Sequence, residues 1–374
     1  MNTALLNLFP KNYIVSRERF RSQLARVQAY WPNAELHHHA LAEHPDLTID
    51  WIRANVTEQP EKLLIITTGE HGAEGTVGAA MMQVFVEEYL LRLNLQDTGL
   101  LLVHAINPWG MQHNRRVNSN NVDLNRNFLG DGKTFTPAAN PEYRLLHPFL
   151  NPQKSLRSKL DFLSKLIKIM FSPGQSALHS GMLMGQYEFP QGLYFGGKKI
   201  EEETRVMMDL YRKTVQPYAQ LLHLDMHTGY GPRYQMSLVN SPAERRASTE
   251  LEAAFNYPEV VTANPEEFYA IQGDMIDWIY ELVQTEFPEK TLFATAFEFG
   301  TLGMSLPAAI RSLWAMIFEN QVHWHAATNE AVVRRAKADF SALFSPLEKN
   351  WCLKAIADAR QAFDGILRDQ GFFL

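Results

Sequence analysis

His71 and Glu74 stand three residues apart in the segment HGAE, where the apolar run of residues 63–68 gives way to a helical pattern. A histidine nitrogen and a carboxylate oxygen are both zinc ligands, and a catalytic zinc usually takes three protein ligands and leaves one position for water. Open α/β sheets bind ligands at the carboxyl ends of their strands. The pair therefore predicts part of a metal site, and a third ligand must come from elsewhere in the chain.

The third ligand is predicted at His227, in the segment LHLDMHTGYG. Another apolar run, residues 221–226, ends there and is followed by two glycines. Asp225 could orient a ligand through its other ring nitrogen, as carboxylates beside metal sites commonly do, although strand alternation could also direct it elsewhere. Taken alone, His227 could equally be a histidine packed at the end of a core strand. Because His71 and Glu74 form a similar motif at the end of another apolar run, we favour the interpretation of His227 as a metal ligand.

A third cluster, residues 106–128, is rich in asparagine and arginine. Arginine presents a rigid fork of donors that suits carboxylates and oxyanions. Asn125 and Arg126 therefore predict a clamp for a carboxylate, and Arg116 is a candidate donor to an oxyanion. The alternative is that the asparagines serve turns and the arginines are solvated.

Glu298 interrupts the apolar run LFATAFEFG between two phenylalanines. Burying a carboxylate is costly unless something needs it there. Such surroundings raise the pKa of a carboxyl group, which is what a general base or acid near neutral pH requires. An ion pair at the end of a strand is the alternative.

The motifs occur in the order HGAE, NPWG, Arg116 with DLNRNF, His227, the pattern Tyr269-x3-Gly273-x3-Asp277-Trp278, and Glu298. In this order the chain resembles the zinc carboxypeptidases, the carboxypeptidase A-like metallopeptidases, over about residues 60–320. The resemblance implies one zinc ion and a set of roles for these residues. The implied metal ligands are His71, Glu74 and His227, and the implied catalytic residues are Glu298 as general base, Arg116 polarising the carbonyl and Tyr269 closing over the substrate. The implied substrate contacts are Asn125 and Arg126 on a free carboxylate and Ile276 in the pocket for the terminal side chain.

The segment LDMHTG is more similar to the succinylglutamate desuccinylase and aspartoacylase branch, which deacylates small amino acids. The Tyr269 to Trp278 pattern favours the peptidase side, and Ile276 hints at an apolar terminal residue. The expected reaction is hydrolysis of a C-terminal peptide or acyl-amino-acid amide bond, with Glu298 taking a proton from water that zinc activates. Two alternatives stay open, an N-acyl amino acid deacylase and a metal-dependent binding protein without activity. The presence of Arg116 and Glu298 counts against the binding protein, because binding alone requires neither residue.

The composition is that of a soluble enzyme. The chain has 374 residues, 46% of them hydrophobic, and a net charge of −6. This charge argues against nucleic acid as a partner, because proteins that bind nucleic acids have a basic surface. It has no run of 18 apolar residues, so no membrane span is expected. Cys352 is the only cysteine, and the N-terminus lacks a secretory pattern, so we expect a cytoplasmic protein. A small peptide or acyl amino acid is the expected partner, and the oligomeric state and the metal used in the cell stay open.

Apolar runs alternate with helical segments, which predicts an α/β fold. The resemblance implies one catalytic domain over residues 1–374, with a mixed, mostly parallel twisted sheet covered by helices on both faces. Strands are predicted at residues 63–68, 100–105, 221–226, 236–240 and 292–299, a helix at residues 76–93, and an insert near the site at about residues 131–197. A dinucleotide-dependent enzyme would share the alternation, but GEHGAEG lacks the Gly-x-Gly start of that fingerprint. The histidines at positions 37–39, 323 and 325 are expected at the surface or in helices.

Overall fold

A mixed sheet of eight strands forms the centre of the computed structural model, which describes residues 5–56, 59–130, 132–153, 159–171, 184–263, 271–325 and 329–374. In chain order the strands are β1 (Glu35–Ala40), β2 (Thr48–Ala54), β3 (Lys62–Thr68), β4 (Thr98–His104), β5 (Gln220–Gly229), β6 (Met236–Asn240), β7 (Val260–Thr262) and β8 (Thr291–Gly300). In space they lie in the order β1-β2-β4-β3-β5-β8-β6-β7.

The four central strands, β4, β3, β5 and β8, pair in parallel. The pairs β1/β2, β2/β4 and β6/β8 are antiparallel, and β6/β7 is parallel. Central parallel strands are buried on both faces, which is why their sequences are nearly continuous apolar runs. The predicted mixed, mostly parallel sheet is confirmed.

Helices cover both faces of this sheet. They are α1 (Tyr13–Gln28), α2 (Gly75–Glu88), α3 (Pro108–His113), α4 (Tyr143–Leu150), α5 (Lys159–Met170), α6 (Glu202–Val215), α7 (Ser248–Phe255), α8 (Met275–Glu286), α9 (Leu306–His325), α10 (Glu330–Phe344) and α11 (Lys349–Asp369). On one face α2, α7 and α11 pack in a core that includes Ile66 and Phe363. On the other face α6 and α8 pack in a core that includes Ile65 and Tyr211. Among the helices of the described residues, none has the length and apolar character needed to cross a membrane.

A third apolar cluster joins α4 and α5 to α9 and α10 through residues such as Phe162 and Trp314. Most of the buried apolar residues in the described parts of residues 131–197 belong to this cluster, including Tyr194 from their last loop, whereas Phe195 packs in the core with α6 and α8. That residues 1–374 form one catalytic domain with an insert at residues 131–197 stays a prediction.

The five predicted strands are all present, but three strands were not predicted. β1, with the sequence ELHHHA, is an edge strand whose side chains are exposed or half-buried, so it carries no apolar pattern. The histidines at positions 37–39 therefore lie in a strand, but their side chains are exposed or half-buried at the edge of the sheet, as expected of surface residues. His323 and His325 lie exposed at the end of α9, also as expected. The predicted helix over residues 76–93 ends at Glu88, and a separate turn of 3₁₀ helix, Leu90–Arg92, follows it.

Glu203, in the first turn of α6, is a buried carboxyl group outside the predicted site. Asn118 Nδ2 donates to its Oε2 at 3.2 Å. Burial raises the pKa of Glu203 from the ordinary 4.5 to about 7, and the neighbouring Glu201 and Glu202 add to the rise. The folded protein thus binds this proton more tightly than the unfolded chain does. The contribution of Glu203 to stability is therefore complete below about pH 4.5 and is lost as the pH rises through about 7.

We predict that Glu203→Gln gains stability over the wild type as the pH rises, because the amide keeps the bond to Asn118 and carries no charge. Its advantage in free energy of unfolding should grow by roughly 2–3 kcal/mol between pH 5 and pH 8. Urea unfolding across that range measures this. Glu330→Gln, at a side chain 92% exposed, is the control and should not change the pH dependence. Parallel curves for Glu203→Gln and the wild type would contradict the prediction.

Candidate metal centre and catalytic cleft

The three predicted metal ligands meet at the carboxyl ends of β3 and β5. The Nδ1 atoms of His71 and His227 are 3.2 Å apart. Glu74 Oε1 is 2.9 Å from Nδ1 of His71, and Glu74 Oε2 is 3.1 Å from Nδ1 of His227. The ligand atoms of a tetrahedral zinc lie about 3.3 Å from one another, given bonds of about 2.0–2.1 Å. The three side chains thus fit a divalent metal ion without rearrangement.

The turn that carries His71 and Glu74 has room only for glycine at its centre. Gly72 begins the short 3₁₀ helix Gly72–Glu74, which leads directly into α2. A Cβ atom at Gly72 would lie 2.1 Å from the backbone of Gly110 in α3. This close approach explains the sequence HGAE, because it fixes the turn that sets the two ligands beside each other.

The sequence placed His227 just after the end of a strand. In the structure β5 continues to Gly229, so His227 lies within the strand. Its register partner in the adjacent parallel strand β8 is Glu298. Register partners on parallel neighbours project from the same face of the sheet. The strand pairing therefore places the predicted general base beside the metal ligands.

A carboxylate contacts the far nitrogen of each histidine. Asp123 Oδ1 is 3.0 Å from Nε2 of His71, and Asp225 Oδ2 is 2.5 Å from Nε2 of His227. A carboxylate accepts, so each Nε2 donates a proton to it, and with a metal ion bound each Nδ1 would present its lone pair to the centre. The contact of Asp225 with His227 confirms the first of its two sequence interpretations, since alternation puts both residues on one face. Asp123 was missed, although it stands two residues before Asn125 in DLNRNF.

Glu70 is a second carboxyl group that sequence analysis missed. Ligand atoms of Glu70, His71 and His227 lie within 4.8 Å of one another, so this trio is an alternative metal group. However, Glu70 Oε2 faces Nε2 of His227 at 3.4 Å, on the side away from the shared centre. Both Glu70 oxygens are buried with no hydrogen-bond partner among the described residues. Glu74 faces both Nδ1 atoms and is the better third ligand.

The electrostatics keep Glu74 and Asp123 ionised. Burial acts to raise the pKa of the Glu74 carboxyl, but His71 and His227 hold it far below its usual range. The backbone N–H of Thr228 also donates to Glu74 Oε2 at 2.8 Å. Burial likewise acts to raise the pKa of Asp123, and nearby guanidinium groups hold it well below its usual range. Both residues thus offer the anionic form that metal ligation and its support require.

Arg116 is the arginine that faces the centre. Its Nε donates to Asp123 Oδ2 at 3.0 Å, and its Nη1 lies 3.3 Å from Glu74 Oε1. Arg115 points away, since its Nη2 donates to Asn121 and Asn320. The choice of Arg116 over its neighbour agrees with this geometry.

Glu298 is 8% exposed, and its Oε1 accepts the backbone N–H of Tyr230 at 2.9 Å. Burial raises the pKa of the Glu298 carboxyl to about 8, and the negative charge of Glu74 adds to the rise. Its two neighbours in β8, Phe297 and Phe299, pack in the core on the opposite face of the sheet, so the polar surroundings of Glu298 come from the cleft and not from the strand sequence.

One cleft of about 410 Å³ brings the predicted residues together. Its walls include His71, His227, Arg116, Asn125, Arg126, Ile276 and Glu298. Tyr269, the remaining predicted catalytic residue, lies outside the described residues.

Asn125 and Arg126, the predicted carboxylate clamp, both form hydrogen bonds within the protein. Asn125 Nδ2 donates to Asp274 at 2.9 Å, and Asn125 Oδ1 accepts the backbone N–H of Met275 at 2.9 Å. The amide therefore fixes the start of α8, which carries Ile276. Arg126 is buried, and its Nη1 donates to the carbonyl oxygen of Asn125 at 2.7 Å.

The pocket beside Ile276 is not purely apolar. Asp274 and Asp277 also line the cleft, and neither was predicted. Burial raises the pKa of Asp277 to about 7, and the charge of Asp274 adds to the rise. Tyr194, 7% exposed, reaches the same cleft from the insert, and its ring centroid lies 6.0 Å from the Arg126 guanidinium.

Fold and site together define the class of protein: an α/β protein with a buried His, His and Glu group that could hold a metal at the carboxyl ends of its central strands. The chain belongs to the family described as "Protein of unknown function (DUF2817)", whose model matches residues 9–358. No match was found among the curated proteins.

Several solved structures are similar to this one. Bovine thrombin-activatable fibrinolysis inhibitor, in complex with tick carboxypeptidase inhibitor, is 16% identical with a TM-score of 0.47, over 87% of this chain and 96% of that one. Murein-tripeptide amidase MpaA from Escherichia coli O157 is 19% identical with a TM-score of 0.39, over 81% and 97% of the two chains. An aspartoacylase family protein from Mesorhizobium loti is 15% identical with a TM-score of 0.35, over 79% and 68%.

These are the kinds of protein that the sequence motifs resemble. At such identities and TM-scores the likenesses carry no argument about the reaction.

We predict that the purified protein binds one divalent metal ion per chain and that His71→Ala and His227→Ala each lose it, because each variant removes one of three facing ligands. Metal analysis after gel filtration measures the stoichiometry. The matched control replaces the three consecutive histidines at positions 37–39 by alanine, and this variant should keep the ion. Loss of the ion from that control, with retention in His71→Ala, would place the metal elsewhere.

Proposed function

We propose that the protein is a zinc-dependent hydrolase that cleaves a C-terminal peptide or acyl-amino-acid amide bond. The observation that carries the proposal is the convergence of His71, His227 and Glu74 within 3.2 Å, beside Glu298 in the same cleft. Nδ1 of each histidine and the Glu74 carboxylate would hold the ion. When bound, zinc supplies Lewis-acid catalysis, which polarises a carbonyl oxygen and makes water a stronger acid.

Glu298 is the general base of this proposal. It takes a proton from the attacking water as the new C–O bond forms, and it passes that proton to the amide nitrogen as the C–N bond breaks. Its backbone contact with Tyr230 and its pairing with His227 across β5 and β8 hold the carboxyl in place. Proton transfer by a positioned carboxyl needs this fixed geometry.

Arg116 assists at the carbonyl oxygen. Its ion pairs with Asp123 and Glu74 fix the guanidinium next to the metal ligands. A positioned cation stabilises the negative charge that develops on the oxygen in the transition state. The same contacts orient the guanidinium before the substrate arrives, so little reorganisation accompanies the reaction.

The free carboxylate of the substrate is assigned to Arg126, with Asn125 supporting the guanidinium and the start of α8. Ile276 contributes to the wall for the terminal side chain. Tyr269 closes over the substrate in this proposal, a role that rests on the sequence motif. A substrate with a free carboxylate next to the scissile amide suits a cleft that is lined both by Arg126 and by the candidate metal ligands His71 and His227.

An N-acyl amino acid deacylase is a second candidate. The segment LDMHTG favours it, and the structure shows what this segment does, since Asp225 supports His227 within the strand. A binding protein without activity is disfavoured, because both Glu298 and Arg116 face the candidate metal centre and neither is needed to bind a metal.

The test is release of the C-terminal residue from blocked dipeptides and from N-acyl amino acids by the zinc-loaded and the chelated protein. Metal-dependent release from blocked dipeptides with a free carboxylate supports the carboxypeptidase. Activity confined to acyl amino acids supports the deacylase. Amidated substrates are the control and should not be cleaved if Arg126 holds the carboxylate.

We predict that Glu298→Gln retains zinc but loses nearly all turnover, because the amide cannot accept the proton. Metal analysis and steady-state assays on the same sample measure both properties. Glu289→Gln, at an exposed side chain just before β8, is the matched control and should keep wild-type activity. Substantial turnover by Glu298→Gln would remove the residue from the role of general base.

We predict that Arg116→Ala lowers kcat by about two to three orders of magnitude, the usual effect of removing one oxyanion donor. Arg115→Ala is the neighbouring control: it should lower thermal stability, because it breaks buried contacts with Asn121 and Asn320, and leave kcat of the folded protein nearly unchanged. Equal kcat values for the wild type and Arg116→Ala would exclude the guanidinium from the reaction.

A further inference from the structure

β5 places three polar side chains on one face of a central strand. His223, Asp225 and His227 alternate with apolar residues that face the opposite core, Leu222, Leu224 and Met226. His223 and Asp225 are completely buried. Buried polar groups are costly unless they are hydrogen-bonded, so their partners account for their presence in the core.

The partners form one connected chain. Thr67 in β3 is the register partner of Asp225, and its Oγ1 lies 2.6 Å from Asp225 Oδ1. The same hydroxyl oxygen lies 2.8 Å from Nε2 of His223, and the hydroxyl of Tyr211 in α6 lies 3.0 Å from that nitrogen. Asp225 Oδ2 completes the chain at Nε2 of His227, 2.5 Å away. Residues from three elements thus connect to one metal ligand.

The direction of each hydrogen bond follows from what each group can donate. Ionised Asp225 only accepts, so the single Thr67 hydroxyl proton points to it and the Thr67 oxygen must accept from His223. His223 is therefore protonated on Nε2. Burial lowers the pKa of His223 to about 4, which agrees with a neutral ring. The Thr67 and His223 protons therefore point toward Asp225, and Asp225 in turn holds a proton on Nε2 of His227, which leaves Nδ1 for the metal. The Tyr211 hydroxyl oxygen accepts from the protonated Nε2 of His223, and its own proton points to Sδ of Met275 at 3.6 Å.

The two histidine ligands are thus supported in different ways. Asp123, which holds His71, is paired with the guanidinium of Arg116. Asp225, which holds His227, accepts instead from neutral donors, the Thr67 hydroxyl and the backbone N–H of Met226 at 3.1 Å. A carboxylate held by neutral donors depends on their geometry, because such hydrogen bonds weaken steeply when they are misaligned.

We infer that Thr67, His223 and Tyr211 are positioning residues that orient Asp225, and through it His227, and so set the affinity of the site for its metal ion. The inference rests on the proposed function, in which His227 binds zinc. These residues touch neither metal nor substrate. Loss of partners behind a ligating histidine typically lowers metal affinity about 10- to 100-fold.

The experiment compares zinc dissociation constants, measured by chelator competition, for the wild type, Thr67→Val and Thr67→Ser. Valine keeps the branched shape of the buried side chain and removes the hydroxyl. Thr67→Val should bind zinc about 10- to 100-fold more weakly. Thr67→Ser restores the hydroxyl and should recover most of the affinity. Tyr211→Phe, at the far end of the chain of contacts, should weaken binding in the same direction by a smaller factor.

Thr68→Val is the matched control, because Thr68 is the next buried threonine of β3 and its hydroxyl donates to the backbone oxygen of Val103 at 3.3 Å. It should keep wild-type zinc affinity. Equal affinities for Thr67→Val and the wild type, or equal losses in both valine variants, would overturn the positioning role while leaving the proposed function standing. A folded wild type that binds no zinc would overturn both. If Thr67→Val fails to fold, Tyr211→Phe with unchanged affinity overturns the positioning role.

Discussion

The site depends on the approach of two imidazole rings to one buried carboxylate. Nδ1 of His71 and Nδ1 of His227 lie 3.2 Å apart, and each also lies beside an oxygen of Glu74. A positive charge shared among the three groups, carried by protons or by a divalent metal ion, makes this approach favourable. This approach also requires a fixed carboxylate behind each ring. The parallel pairing of β3 with β5 sets Thr68, three residues before His71, opposite Met226, which lies between Asp225 and His227.

The site concentrates negative charge in the interior. Glu74, Asp123 and Asp225 are each at most 1% exposed, and buried carboxylates are costly unless paired. Arg116 compensates part of this charge through its contacts with Glu74 and Asp123. A divalent cation between the two histidines would compensate much of the rest. The donor set and the charge balance thus point to the same occupant.

The surrounding fold makes this geometry rigid. The central strands are packed on both faces by separate apolar cores, and close-packed cores permit little displacement of the side chains they carry. In the same rigid sheet, the pairing of β8 with β5 places Glu298 next to His227. Asn125 fixes the start of α8, and α8 brings Ile276 to the cleft. Tyr194, which belongs to the third apolar cluster, also lines the cleft. The candidate metal ligands and the proposed substrate contacts therefore come from different elements of the fold.

The sequence by itself determined the local features. The spacing of His71 and Glu74 around a glycine turn, the apolar runs of the central strands and the glutamate within β8 are short-range patterns, and each was predictable. Tertiary structure alone decided which histidine nitrogens face each other, that Asp123 supports His71, that Asn125 holds a helix start, and that Thr67 and Tyr211 stand behind His227. It also decided the polar edge strand β1, where no buried face imposes a pattern. The reason is distance along the chain: His71 and His227 are 156 residues apart, and contacts over such separations depend on strand order and register, which no local pattern specifies.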